Sequence, residues 1–182
     1  KDALNTLYRK NVTVRIKSCH ETMTFNMFPK HDFEDTPTLH AEVELSSDPS
    51  FQGTEFRLTG CSDKDIEAAK SCFSKFSAER LIENTKNGEL LERSGPVGNI
   101  YVNGMKVAEE ADFLFSYNIT AKDKSIRDAL NRERQNVGRA AYRNRVQQII
   151  LATQSDEVKK ILMRDFGEDC RDDLKWADVR AF

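Results

Sequence analysis

The chain has 182 residues, with 28 Lys and Arg against 30 Asp and Glu, a net charge of −2 and 38% apolar residues. That length can build a core without disulfide or metal staples, and the near-neutral balance excludes a globally basic nucleic-acid binder or a polybasic membrane-surface protein. No apolar run is long enough to span a bilayer. Four scattered cysteines, Cys19, Cys61, Cys72 and Cys170, offer neither a CxxC metal site nor a secreted disulfide framework, which fits a reduced, intracellular setting.

In chain order, the first predicted helix carries Ala3, Leu4, Leu7 and Tyr8 on one face. No capping residue precedes it, so Lys1 is read as lying inside a longer polypeptide. Val12, Val14 and Ile16 then alternate with polar residues, the period of a half-buried strand, and Met23 to Met27 is its expected partner. Leu39, Ala41, Val43 and Leu45 share one side of a third strand, which completes an antiparallel meander. Gly53-Thr54 opens a fourth strand through Phe56 and Leu58, and Ser62 with Asp65 forms a capping box before a helix expected over Asp63 to Phe76.

Two Asn-Gly pairs, Asn87-Gly88 and Asn103-Gly104, sit between short apolar runs and predict hairpins whose turn residues take positive φ. Gly95-Pro96-Val97-Gly98 between them is the expected domain boundary, and Phe113 to Ile119 supplies one more strand. Beyond Thr120 the pattern is helical. Tyr142, Val146, Ile149 and Ile150 form one face, Ser155 is a good N-cap for the next helix, and Trp176 is placed to anchor a short terminal turn.

Ser125 to Leu151 is the stretch that asks for more than folding. It holds Arg127, Arg132, Arg134, Arg139, Arg143 and Arg145 against only Asp128 and Glu133. Read as residues, the arginines suit a solvated helix face paired with the acidic run near Asp172 or a nucleic-acid contact through phosphates. Val137-Gly138 is the expected joint within the stretch, because glycine disfavours a helix interior. His20, His31 and His40 are dispersed and predict no metal site.

Three places together resemble the GHKL ATPase superfamily of gyrase B subunits, ninety-kilodalton heat-shock chaperones, histidine kinases and mismatch-repair MutL proteins. The opening KDALNTL is similar to the helix that follows that superfamily's glycine box. Gly53-Thr54-Glu55-Phe56 resembles the Gly-Thr strand start whose hydroxyl joins the adenine network. Leu130-Asn131-Arg132-Glu133-Arg134 resembles the Leu-Asn-x-x-Arg of the chaperones, and IYVNGMKV the hairpin that opens a MutL transducer.

The resemblance implies an α+β fold. Residues 1–93 would be the latter part of a nucleotide-binding two-layer sandwich, with an antiparallel mixed sheet packed on helices, and residues 97–182 a hairpin-and-helix transducer region. It implies ATP as ligand, with Lys1, Gly53 and Thr54 on the binding side and Arg134 and Asn131 in catalytic roles, Arg134 as the sensor of the terminal phosphate. A permanently charged, planar guanidinium suits that task. The superfamily's ExxxN and DxGxG motifs are absent from the chain, so the general base and the Mg2+ ligand are expected from residues outside it. The partners implied are ATP and a second copy in the longer protein. The competing class is a non-catalytic interaction module that binds nucleic acid through the arginine-rich helix.

Overall fold

A computed structural model of the chain describes residues 2–30, 36–45, 48, 50–120, 123–132, 137–165 and 171–180. The fold is α+β with two mostly antiparallel sheets. It divides into two compact units, Lys1–Ile66 and Glu67–Phe182.

The first unit begins with α1 (Asp2–Arg9), whose C-terminus turns through Asn11 at φ 58° into β1 (Thr13–Ser18). β2 (Glu21–Lys30), β3 (Thr36–Leu45) and β4 (Thr54–Thr59) complete an antiparallel sheet in the order β3-β2-β1-β4. Directly paired residues share a face in such a ladder, so the register decides what each face carries. Leu58, Val14 and Ala41 lie on one face with Phe25, and Phe56, Ile16, Met23 and Val43 form the row beside them. Arg15, Lys17, Thr24, Glu42, Glu55 and Arg57 occupy the other. One face is therefore almost wholly apolar and the other polar, as the period-2 patterning requires.

α1 packs against β1 and β2. Val14 is buried beside exposed Arg15, which places α1 on the apolar face. The flanking strands are left bare: Phe56 is 65%, Val43 55% and Leu45 86% exposed.

After β4, α2 (Asp63–Lys70) starts with the expected capping box. The Asp65 N–H donates to Ser62 Oγ at 3.2 Å, and Asp65 Oδ2 accepts from the Ser62 N–H at 3.1 Å. The helix stops well short of Phe76. The Lys106 N–H donates to the Cys72 carbonyl at 2.8 Å and the Ser74 N–H to the Gly104 carbonyl at 2.9 Å, so this segment pairs with a strand edge before a 3-10 turn over Ser74–Phe76. Tertiary hydrogen bonding outweighs the helical spacing of Phe73 and Phe76.

The second unit is built on five strands, β5 (Leu81–Thr85), β6 (Gly88–Glu92), β7 (Gly98–Val102), β8 (Met105–Glu110) and β9 (Phe115–Ile119), in the order β5-β6-β9-β7-β8. β9 is central, antiparallel to β6 and parallel to β7, and all five of its residues are buried. This order corrects the expected boundary at residues 95–98. That segment merely connects β6 to β7 within one sheet, and residues 81–92 belong with the C-terminal part of the chain.

The second hairpin turns through Asn103 at φ 48° and Gly104 at φ 81°, as expected of Asn-Gly. The first does not: Thr85 pairs with Gly88, so Lys86 and Asn87 make the turn and Gly88 opens β6. α3 (Lys124–Arg132), α4 (Arg139–Leu151), α5 (Asp156–Asp165) and α6 (Ala177–Arg180) complete the unit. Tyr142, Val146, Ile149 and Ile150 form the buried stripe of α4, which packs on β6 and β9. Trp176 closes the core edge-on against Phe113, with ring centroids 5.8 Å apart. Among the described residues no helix is long and apolar enough to cross a membrane.

Candidate functional site

Gly53 has φ +106° and nothing within 4 Å of the position a Cβ would take, so its backbone conformation rather than crowding is what calls for glycine. Its carbonyl accepts the Cys19 N–H at 3.2 Å, which ties the start of β4 to the turn after β1. Thr54 is the first residue of β4, exposed, with its hydroxyl 3.2 Å from the Ser18 hydroxyl. Ser18, Thr54 and Glu21 make a polar row at one end of the apolar sheet face. A hydroxyl both donates and accepts, so this pair can serve a ligand group of either kind at the rim of an apolar surface.

The arginine-rich stretch divides where its glycine predicts. α3 ends at Arg132, and Gly138 is the extended N-cap of α4. Asn131 lies in the last turn of α3. Arg134 and Lys1 lie outside the described residues. Val137 is buried, and its N–H donates to the Val107 carbonyl at 3.0 Å.

The arginines of α4 all have internal partners. Arg139 Nε donates to Glu110 Oε1 at 2.9 Å, its Nη2 pairs with Glu110 Oε2, and its Nη1 donates to Asp172 Oδ2 at 3.0 Å. The same guanidinium lies 5.1 Å from the centroid of the Phe113 ring. Glu110 is buried and also accepts the Tyr142 hydroxyl. Its hydrogen bond, followed by that of Asp172, holds Arg139 above the ordinary arginine range against the opposing effect of burial. Arg143 stacks over Trp176 at 5.4 Å, and Arg145 Nε lies 3.2 Å from Asp123 Oδ2 while its Nη1 donates to Asn87 and Gln148. A face of free cations is therefore not what α4 presents.

Sequence spacing missed a fully buried carboxyl. Asp173 has no exposed surface, yet its carboxylate accepts the Leu114 N–H at 2.9 Å, the Phe115 N–H at 3.3 Å and the Tyr117 hydroxyl at 2.6 Å. Burial pushes this carboxyl up to about 6, with the hydrogen bonds pulling the other way. Burial and the neighbouring Asp173 charge raise the Tyr117 hydroxyl in turn. The cluster fastens the 3-10 turn Asp172–Leu174 to the start of β9. In the sequence Asp173 is one of several acidic residues in a polar run, and only its partners more than fifty positions away distinguish it.

An open groove of about 590 Å³ is lined by Glu83 to Lys86 and Leu151 to Gln154, and none of the residues singled out in the sequence lines it. Its one acidic side chain is already engaged, since Glu83 accepts the Gln154 N–H at 2.8 Å and the Ser155 N–H at 3.0 Å. Among the described residues no group of three His, Cys, Asp or Glu could hold a metal ion.

Residues 64–163 match the family described as the Mycoplasma pneumoniae MPN635 N-terminal domain. The matched region runs from α2 into α5 and contains the whole five-stranded sheet and the arginine-rich stretch. An uncharacterized protein of Mycoplasma pneumoniae (strain ATCC 29342 / M129 / Subtype 1) is 32% identical over 152 residues, which are 82% of this chain and 61% of that protein. A second uncharacterized protein of the same strain is 28% identical over 123 residues, 66% of this chain and 35% of that protein. The chain thus spans less than two thirds of either relative. No solved structure matches it. With more than half of its residues matched, the chain belongs to the Mycoplasma pneumoniae MPN635 N-terminal domain family.

Proposed function

We propose that the chain is part of an ATP-binding and ATP-hydrolysing protein of the GHKL type, in which nucleotide state is coupled to conformational change. Thr54 carries the reading. Its hydroxyl stands at the glycine-opened start of an edge strand, 3.2 Å from the hydroxyl of half-buried Ser18 and at the rim of an apolar sheet face. An adenine ring takes that combination of a flat apolar surface and a donor-acceptor group at its margin.

Arg134 is assigned to the terminal phosphate and Asn131 to orienting the segment that carries it. The internal partners of Arg139, Arg143 and Arg145 support this division, because they account for the second half of the arginine-rich stretch by packing. The same partners weigh against direct nucleic-acid binding through α4. The general base and Mg2+ come, on this reading, from residues outside the chain, and a second copy pairs with the longer protein.

The test is ATP binding and turnover by the longer protein. Thr54→Val is expected to weaken binding about tenfold, the equivalent of one lost hydrogen bond. A longer protein that neither binds nor hydrolyses ATP overturns the reading. Salt-dependent DNA or RNA binding that is lost in an Arg139, Arg143 and Arg145 triple variant and kept in Arg134→Ala would establish the interaction module instead.

A further inference from the structure

The edge of a sheet exposes a row of backbone N–H and C=O groups that can pair with another strand, and folded proteins blunt such edges. The second unit blunts both of its own. β5 is five residues long and carries a register shift between Leu81 and Glu83. β8 and the turn before it are covered, because the Lys106 N–H donates to the Cys72 carbonyl, the Ser74 N–H to the Gly104 carbonyl and the Val137 N–H to the Val107 carbonyl. In the first unit β4 is short, six residues, but β3 has ten. β3 pairs with β2 from Thr36 to Leu45 without a register shift. Among the described residues nothing pairs with its other edge, and every residue from His40 to Leu45 is exposed. Pro37 lies near one end, and no lysine interrupts the run.

We propose that the free edge of β3 pairs antiparallel with β3 of a second copy, joining two four-stranded sheets into one. This places the second copy that the ATP proposal supposes, and it stands on the edge geometry without that proposal. Two-fold symmetry restricts what can face what, since residue i faces j wherever j faces i. Directly paired residues also share a sheet face, so Leu39, Ala41, Val43 and Leu45 face one another, as do Thr38, His40, Glu42 and Glu44. With Ala41 opposite its own copy, Leu39 faces Val43 on the apolar side. On the polar side His40 faces Glu42 and Thr38 faces Glu44, so each carboxylate meets a group that can donate a hydrogen bond. Moving the axis to Glu42 sets that carboxylate against its own copy, and like charges directly opposite are destabilising. Moving it to His40 breaks the His40–Glu42 pair and runs Leu45 past the end of the facing strand. Pairing through β3 leaves β4, with Thr54, at the far edge of the joined sheet.

Sedimentation equilibrium of the protein without nucleotide tests the proposal, and the expected species is a dimer that dissociates on dilution. His40→Glu sets carboxylates opposite each other at both symmetry-related pairs, so the dimer dissociation constant is expected to rise about tenfold or more. Adding Glu42→Lys to that variant is expected to restore it to within about threefold of the unchanged protein. Both side chains are exposed on the solvated face, so neither change threatens the fold. Position is read separately by oxidation with diamide. Ala41→Cys is expected to give a covalent dimer at least about five-fold above the unchanged protein, whose exposed Cys19 contributes to the baseline, and Phe56→Cys on β4 is expected to stay at that baseline. A protein that is monomeric at every concentration overturns the proposal, as does a dimer unmoved by His40→Glu. Cross-linking through Phe56→Cys in place of Ala41→Cys overturns it in favour of the β4 edge. Because no nucleotide enters the measurement, its failure and a failure of the ATP reading are separate results.

Discussion

Glu110 and Asp173 show what the acidic residues of the second unit do. Glu110 gathers Arg139 and the Tyr142 hydroxyl at the end of β8, and Asp173 gathers two backbone N–H groups and the Tyr117 hydroxyl at the start of β9. Removing either carboxylate orphans buried donors, each at about 1–3 kcal/mol. Glu110→Ala is expected to cost about 1–3 kcal/mol, since Arg139 keeps Asp172 and is partly solvated, and Asp173→Ala at least about 2 kcal/mol, both read as a lower urea midpoint with an unchanged m-value. Asp173 also makes stability depend on pH. Burial raises Asp173 from 3.8 to about 6, so between those values the native state holds a proton that the unfolded state has released. Stability contributed by Asp173 therefore falls as pH rises from about 4 to 6. Asp173→Asn should flatten that part of the stability-pH profile, and a variant that keeps the wild-type slope would assign it to another group.

At the scale of elements, the local signals in the sequence hold where the partners are local. Ser62 and Asp65 make their capping box, Asn103-Gly104 makes its turn, and Gly138 separates α3 from α4. They fail where a distant strand intervenes. The helical spacing through Phe76 gives way to pairing of Cys72 and Ser74 with β8, thirty residues on, and no periodicity within 63–76 encodes that competitor. Gly88 shows the same limit. Asn87-Gly88 looks like the turn itself, but a Cβ at Gly88 would lie 2.3 Å from the Asn118 carbonyl oxygen and 2.9 Å from Ile149 Cδ1. The glycine serves the close approach of β6 to β9 and α4. Gly88→Ala is accordingly expected to destabilise the second unit by about 1–3 kcal/mol through overpacking. The fall should appear in the thermal midpoint, whereas a neutral effect would mean that β6 and β9 shift apart freely.

For the whole molecule, the α+β class and the alternation of β1 and β3 were legible in the sequence, because alternation is written locally, whereas nothing in the sequence of β9 announces that all five of its residues are buried. The division at Ile66 and Glu67 was not legible either. Gly95 to Gly98 has the composition of a linker, and only the insertion of β9 between the two hairpins reveals that it lies inside a sheet. Of the candidate site, Gly53 and Thr54 occupy the strand start expected of them, while Lys1 and Arg134 lie outside the described residues. Residues 1–182 alone are expected to bind ATP poorly, because the sequence lacks the DxGxG motif of the resembled superfamily. Calorimetry finding micromolar, Mg2+-dependent binding by these residues would refute that. The central claim is tested most directly by Arg134→Ala in the longer protein, measured for ATP binding and turnover side by side. The account predicts turnover reduced by roughly three orders of magnitude or more with binding within a few-fold of wild type; turnover equal to wild type, or binding and turnover lost together, would contradict it.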